Sequence, residues 1–455
     1  MARTLIRGAA VVTMDAQGVL PCADVLVDGD RIAAIAPQLP LPEGGDADVV
    51  DARGCIVIPG LVNAHMHTWQ TALRGVAANW TLPEYFRTMH AGLATVFTPE
   101  DLHIATLVGA LNQLDNGTTT LADWCHNNPT PAHSDAAVAA LLESGIRAAF
   151  FHGSPKPDPR PGETPFWERP HPRAELERLR TTHQGSTLLQ VHAAVLGPHY
   201  ATMDVARHDF RMARELDCIA SLHQGGGPAR SPGGWQQLDA EGLLGDNVNI
   251  VHGHALSDAE LARFAALGMS FTATPESEMS EGHGHPITGR LRALGRAPSL
   301  GVDLESAVSG DMLTQARVAI GLQRSLDNVA HRAAHGTIPA TSTVPALEAL
   351  AWVTIEGARM LRQQHRIGSL DAGKQADLVL LRADTLNMQP LHDVVAAVVF
   401  QASPANIDSV MVAGRWKKRA GRLLGVDLAP KLAALNASGR RIVRALGLRT
   451  HLAPD

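Results

Sequence analysis

The 455-residue sequence has only four cysteines, Cys22, Cys55, Cys125 and Cys218, and no two of them stand at a paired spacing. That pattern fits a reduced, cytoplasmic protein in which cysteine is filler, and it argues against a disulfide framework. Basic residues are not in excess: 39 Lys and Arg face 45 Asp and Glu, for a net charge of -6. Such a balance supplies no field for nucleic acid or an anionic membrane. No run of about 18 uncharged apolar residues could span a bilayer, and Met1-Ala2-Arg3-Thr4-Leu5-Ile6-Arg7 lacks the apolar core of a signal peptide. Low-complexity segments and short-period repeats are missing too. Small molecules are therefore the expected partners, with a homodimer as an allowed assembly.

What is present is enough apolar content, 45%, for a substantial core, in a chain longer than one core usually holds. A large barrel with a smaller accessory domain is expected. Residues 1–57 read as short alternating strands, with a hairpin turn at Val27-Asp28-Gly29-Asp30, where Asp-Gly suits the positive φ of tight turns. Residues 366–425 have the same character, in Ala376–Leu381 and Ser409–Trp416, and Ala413-Gly414 echoes the first turn. Neither segment could bury a core alone. Both ends are expected to build one β-sandwich beside the central domain, followed by a helical tail over 426–455 with apolar residues at helical spacing from Leu428 to Leu446.

Residues 58–365 alternate strand-like runs with helical segments, the pattern of a parallel α/β architecture. The runs end at His67, Asp123, His152, His192, His223, His252, Thr274 and Asp303. Eight of them predict a (β/α)8 TIM barrel, in which chemistry sits at the C-terminal ends of the strands.

The first run, Ile56 to His67, is a continuous apolar stretch broken by Pro59-Gly60 that ends in two histidines two residues apart. On a strand, i and i+2 share a face, so His65 and His67 project together. Closing the barrel brings His65, His67, His223 and Asp303 around one cation, with His252 within reach of its bound water. A divalent metal lowers the pKa of that water toward ~7. Asp303 can bind the metal and accept the water's proton, while His252 orients the nucleophile and stabilises the developing oxyanion.

The whole ordered set resembles the amidohydrolase superfamily, in its branch of deaminases and chlorohydrolases that includes the S-adenosylhomocysteine and cytosine deaminases. The segments that carry the resemblance are Pro59–His67, Asn116-Gly117-Thr118-Thr119-Thr120, Gly197-Pro198-His199, His223, His252 with Leu256-Ser257-Asp258, and Gly301-Val302-Asp303. It implies one divalent ion per chain on His65, His67, His223 and Asp303, with zinc expected ahead of iron or manganese. Binuclear members bridge two metals through a Lys or Glu on strand four, and Leu188-Leu189-Gln190-Val191-His192 contains neither. Deaminases of this branch also place a proton-shuttling Glu three residues after the strand-five histidine. That position here is Gly226, and Gln224 cannot stand in, because an amide does not titrate.

The nearest acidic substitutes lie after strand seven, in a loop that family members place beside the substrate. Glu278 is expected there as the acid, ahead of Glu276, which could instead pair with a cationic substrate; a solvated acidic loop is the bland alternative. His283 and His285 on the same Gly-rich stretch read as loop residues rather than ligands. The resemblance also points to Gln70 as a reader of a lactam edge and to His199 as a substrate contact, and Trp80 could wall the pocket. For Gln70 and Trp80 a packing role is nearly as well supported. Asp123, His126, His152 and His192 read as structural, and Arg74 as a brace for the barrel rim.

The leading expectation is a mononuclear metal-dependent hydrolase that attacks an electrophilic carbon–nitrogen centre of a small cyclic or heteroaromatic substrate. The alternative keeps the metal without hydrolysis, as a lyase, ring-opening enzyme or isomerase. A binding protein on a degenerate fold is disfavoured by the intact ligand set.

Overall fold

The computed structural model describes residues 3–41 and 47–448, so the last part of the expected tail, 449–455, lies outside the described residues. At the N-terminal end, β1 (Arg3–Val12), β2 (Val19–Asp28) and β3 (Arg31–Ala36) form an antiparallel meander. β4 (Ala47–Asp51) and β5 (Cys55–Pro59) then run parallel to β1. The turn between β2 and β3 is the two-residue Gly29-Asp30, with Gly29 at φ +62°.

Eight parallel strands follow: β6 (Leu61–Met66), β7 (Thr118–Cys125), β8 (Arg147–His152), β9 (Leu189–Ala194), β10 (Ala220–Gln224), β11 (Val248–His252), β12 (Ser270–Ala273) and β13 (Ser299–Leu300). They pair in sequence order, as a (β/α)8 barrel requires. β13 is only two residues long, so closure depends on the loop beyond it. Asp303 N–H donates to the His65 carbonyl at 2.9 Å, and His67 N–H to that of Asp303 at 2.6 Å. A Cβ on Gly301 would fall 2.5 Å from the His65 carbonyl oxygen, so only glycine lets the last strand approach the first this closely.

β14 (Leu378–Arg382), β15 (Ile407–Val412), β16 (Arg415–Arg419) and β17 (Arg422–Leu423) complete the second sheet, in the order β17-β16-β15-β14-β5-β1-β2-β3 with β4 on β1. The two chain ends thus share one nine-stranded mixed sheet folded around its own core, which includes Ile6, Val25, Ile32, Val57, Leu378 and Leu380. The hairpin turns that echo each other in sequence also meet in space. A Cβ on Gly414 would run into the Gly29 carbonyl.

The Ile56–His67 run is not one strand, which corrects the sequence reading. Pro59-Gly60 divides it between the two sheets, and a Cβ on Gly60 would collide with the Thr119 side chain. β5 is apolar throughout because it is buried on both faces: Cys55 and Val57 enter the small-domain core, Ile56 and Ile58 the larger cluster around the barrel. β5, the last N-terminal strand of the mixed sheet, ends at Pro59.

The domains are pinned by a buried ion pair. Arg147 at the start of β8 donates to Asp377 from Nε at 2.7 Å and Nη2 at 3.0 Å, and Asp377 also accepts the Ala413 N–H at 2.7 Å. The tail forms a helix, Leu428–Ala445, that packs on the barrel helix Pro99–Asp115, where Ser438 Oγ donates to Asp101 at 2.7 Å. Among the described residues no helix is long and apolar enough to cross a membrane.

Candidate metal centre and the cleft around it

β6 ends in the histidine claw, and its pairing with β7 shifts register between Asn63 and Met66, a local irregularity of the kind that re-aims side chains beside active sites. His65, His67, His223 and Asp303, from strands one, five and eight, each present one ligand atom within 4.8 Å of the others. His65 Nε2 lies 3.2 Å from His223 Nε2, and both His65 Nε2 and His67 Nε2 lie 3.4 Å from Asp303 Oδ1. The edge of a tetrahedron around an ion with bonds of ~2.0–2.1 Å is about 3.3–3.4 Å, so the donor set fits a divalent cation.

The surroundings reinforce this fit. His67 Nδ1 donates to the Trp124 carbonyl at 2.6 Å, which fixes the tautomer that leaves Nε2 free to ligate. Burial depresses the pKa of His67 to about 3 and that of His223 well below its usual value, so both stay neutral, the form that binds metals. Asp303 sits at φ +71° and His252 at φ +67°, in the left-handed region that β-strand exits rarely use. Two such residues, at the end of β11 and in the loop after β13, store local strain where the side chains must be aimed. No Lys or Glu stands on β9, and among the described residues this is the one group able to hold a metal.

His252 presents the second tier. Its Nδ1 lies 3.1 Å from Glu278 Oε1 and 3.2 Å from Thr274 Oγ1, which leaves Nε2 toward the cleft. The segment after β12 is a helix, Pro275–Glu281, rather than the loop expected from its sequence. Its buried face carries Ser277, Glu278 and Glu281 at helical spacing. Ser277 Oγ donates to Asp303 Oδ2 at 2.6 Å. Glu278 is fully buried, accepts the Thr274 N–H at 2.9 Å, and has its pKa pushed up to about 8 by that burial.

The cleft beside the ligands is narrow, with room of about 30 Å3, and is lined by Tyr85, His126, Lys156, Tyr200, Glu281 and His283 among others. Of the residues expected to act on substrate, only His252 and Asp303 line it. Glu278 stays behind His252. Glu276 points to Ser309 and Gln315, accepting at 2.8 and 2.7 Å. Gln70 is buried, donating to the Tyr85 hydroxyl at 2.5 Å and accepting from Ser306 at 2.6 Å, so it positions Tyr85 instead of facing a ring. His199 meets Gln224 Nε2 at 3.3 Å, one residue before cleft-lining Tyr200. Trp80 is half-buried against the outer apolar cluster. Arg74 does brace the rim, holding Glu305 at 2.7 Å while Thr71 and Asn112 donate to the same carboxylate.

Glu281 and Lys156 were not singled out from sequence, and His283 and His126, read there as a loop residue and a structural one, also line the cleft. Glu281 lines the cleft with Oε1 unpartnered and Oε2 3.6 Å from His283 Nε2, and burial raises its pKa. His283 in turn packs on His252, ring centroids 4.3 Å apart. His126 stacks on His67 at 4.2 Å. Lys156, 6% exposed, stands over the rings of Trp124, Tyr200 and Phe86 at 5.4, 5.6 and 6.0 Å, and burial lowers its pKa to about 8. Each ring contributes ~0.5–2 kcal/mol at best, whereas taking an ammonium out of water costs several. Asp123, His152 and His192 take structural partners: the Thr68 N–H, His171 and the Ile219 N–H. A wider cleft, lined by Met269, Ser270, Arg292, Arg296, Ser299 and Arg359, opens where β12 and β13 begin. It lacks a ligating set, and strand N-termini are the end that barrels keep for stability.

Residues 56–417 match the amidohydrolase family. The chain is 31% identical to an 8-oxoguanine deaminase of Pseudomonas aeruginosa, over 97% of this chain and 100% of that protein. It is 29% identical to a 5-methylthioadenosine/S-adenosylhomocysteine deaminase of Desulforudis audaxviator, over 98% and 100%. An adenosine deaminase from Xanthomonas campestris with bound zinc superposes with a TM-score of 0.81 at 25% identity, covering 97% of this chain and 99% of the other.

Proposed function

The chain belongs to the amidohydrolase family, and from that premise we propose that it is a mononuclear metal-dependent hydrolase acting at an electrophilic carbon–nitrogen centre of a small cyclic or heteroaromatic substrate. The observation that carries this reading is the convergence of His65, His67, His223 and Asp303 beside a cleft that His252 also lines. Relatives named as purine-type deaminases over nearly the full length support the substrate class. A divalent ion, with zinc favoured by the donor set, supplies Lewis acidity there and brings the pKa of a coordinated water toward ~7.

The chain's own residues then divide the proton work. Ser277 occupies Oδ2 of Asp303, which commits that carboxylate to holding the ion. His252 Nε2 can take the proton of the attacking water and return it to the developing oxyanion, and Glu278 Oε1 at Nδ1 holds the ring in place for both transfers. On the leaving side, Glu281 with His283 replaces the acid missing at Gly226: it lines the cleft, and burial raises its pKa in the direction a proton donor needs. Gly226 also supports a second reading, a lyase or isomerase on the same ion that needs no such proton. The two are separated by incubating metal-loaded protein with aminated purines, pyrimidines and triazines in 18O-labelled water. Ammonia release with one labelled oxygen in the product is expected; turnover with no label would sink the hydrolytic reading.

A further inference from the structure

We propose that the substrate carries an anionic group, a carboxylate or its close equivalent, that seats on Lys156 and His126 in the metal cleft. This names the substrate class for the hydrolase reading above and rests on it for the identity of the site, while the charge is argued from residues outside the ligand set.

Lys156 follows β8 and is buried, yet among the described residues no carboxylate forms an ion pair with it; the rings of Phe86, Trp124 and Tyr200 surround its head group, and Asp303 acts on it only from beyond ion-pair distance. A buried ammonium left with ring faces alone is under-compensated, and its head group lines the cleft where a ligand could complete the pairing. His126 supplies a second donor on independent grounds. Trp69 Nε1 donates to its Nδ1 at 3.1 Å, which puts the imidazole proton on Nε2, and that atom is buried with no partner. Both side chains flank the Trp124 indole, at 5.4 Å each, and both line the same cleft. Glu281, an acid of the same cleft, lies 3.6 Å from His283 Nε2 and forms no ion pair with Lys156. Two donors that line one cleft and that no described side chain pairs offer a seat for a planar anion, whose oxygens can accept from them.

The test compares isosteric probes that differ only in charge, nicotinate against nicotinamide and benzoate against benzamide, by calorimetry on the metal-loaded protein. The anion of each pair is expected to bind ~10-fold or more tightly, the worth of a charge-assisted hydrogen bond. Lys156→Met should erase that preference while metal content stays unchanged. His126→Phe, which preserves the stack on His67, should reduce it. A preference that survives Lys156→Met would place the anion on the metal and overturn the proposal, as would equal binding of acid and amide by the wild type. The hydrolase reading can fail separately: loss of labelled-oxygen incorporation across the substrate panel leaves the probe comparison intact.

Discussion

The carboxylate of Glu278 lies 3.1 Å from Nδ1 of His252, on the side of the imidazole away from the cleft, so it acts on substrate only through that ring. Glu281, three residues later on the same helix, is the glutamate that reaches the cleft. The two should be separable by leaving group. Glu281→Gln should lower turnover of an amino substrate by ~100- to 10,000-fold with metal retained, and much less for an analogue that expels chloride, which needs no proton. Glu278→Gln keeps an oxygen for the Thr274 N–H and for Nδ1 but removes the ionisable carboxyl behind the ring, and should slow both substrates alike. Equal losses for both leaving groups in Glu281→Gln would remove it as the acid.

Metal content gives the most direct measurement. Elemental analysis should find one divalent ion per chain, and His67→Ala or His223→Ala should lose it. Chelation should lower the melting temperature, since an ion bound only by the folded state stabilises it by mass action. Two ions per chain, or none after expression in metal-supplemented medium, would contradict the four-ligand site.

Arg147 and Asp377 are both buried, and each meets the other's charge across the domain junction. Arg147→Met leaves a buried carboxylate unpaired and should cost ~3–5 kcal/mol in denaturant unfolding. The double variant Arg147→Met/Asp377→Asn removes that charge while keeping an acceptor for the Ala413 N–H, and should recover most of the loss. A single variant as stable as wild type would show that water reaches the pair.

Removing residues after about 366 takes away β14, which lies between β5 and β15 in the mixed sheet. The β5 edge and the apolar face of Val57, Ile6 and Val25 would then be exposed. The truncated chain should aggregate. A monomeric, well-folded product by gel filtration and circular dichroism would mean that the N-terminal strands hold their own core.

Local sequence determined the inventory: eight strands in order, the residue type at each strand end, a ligand set spread over strands one, five and eight, the paired Gly turns of the small domain and the terminal packing helix. These are set by alternation, helical spacing and turn chemistry, which act over a few residues and can be read in one dimension. Tertiary structure decided the rest. Pro59-Gly60 marked a break, but only the pairing of β5 with β14 and of β6 with β7 assigned its two halves to different sheets. Ser277, Glu278 and Glu281 share a helix face, and their division of labour comes from how that helix docks, with Ser277 on Asp303, Glu278 under His252 and Glu281 buried at the cleft wall. Lys156 carried no signal at all, being a lysine in a Pro-rich stretch. Its meaning comes from three rings and an unpaired histidine that arrive from other parts of the chain, because burial and partnership are properties of the packed neighbourhood and not of the segment that contributes the residue.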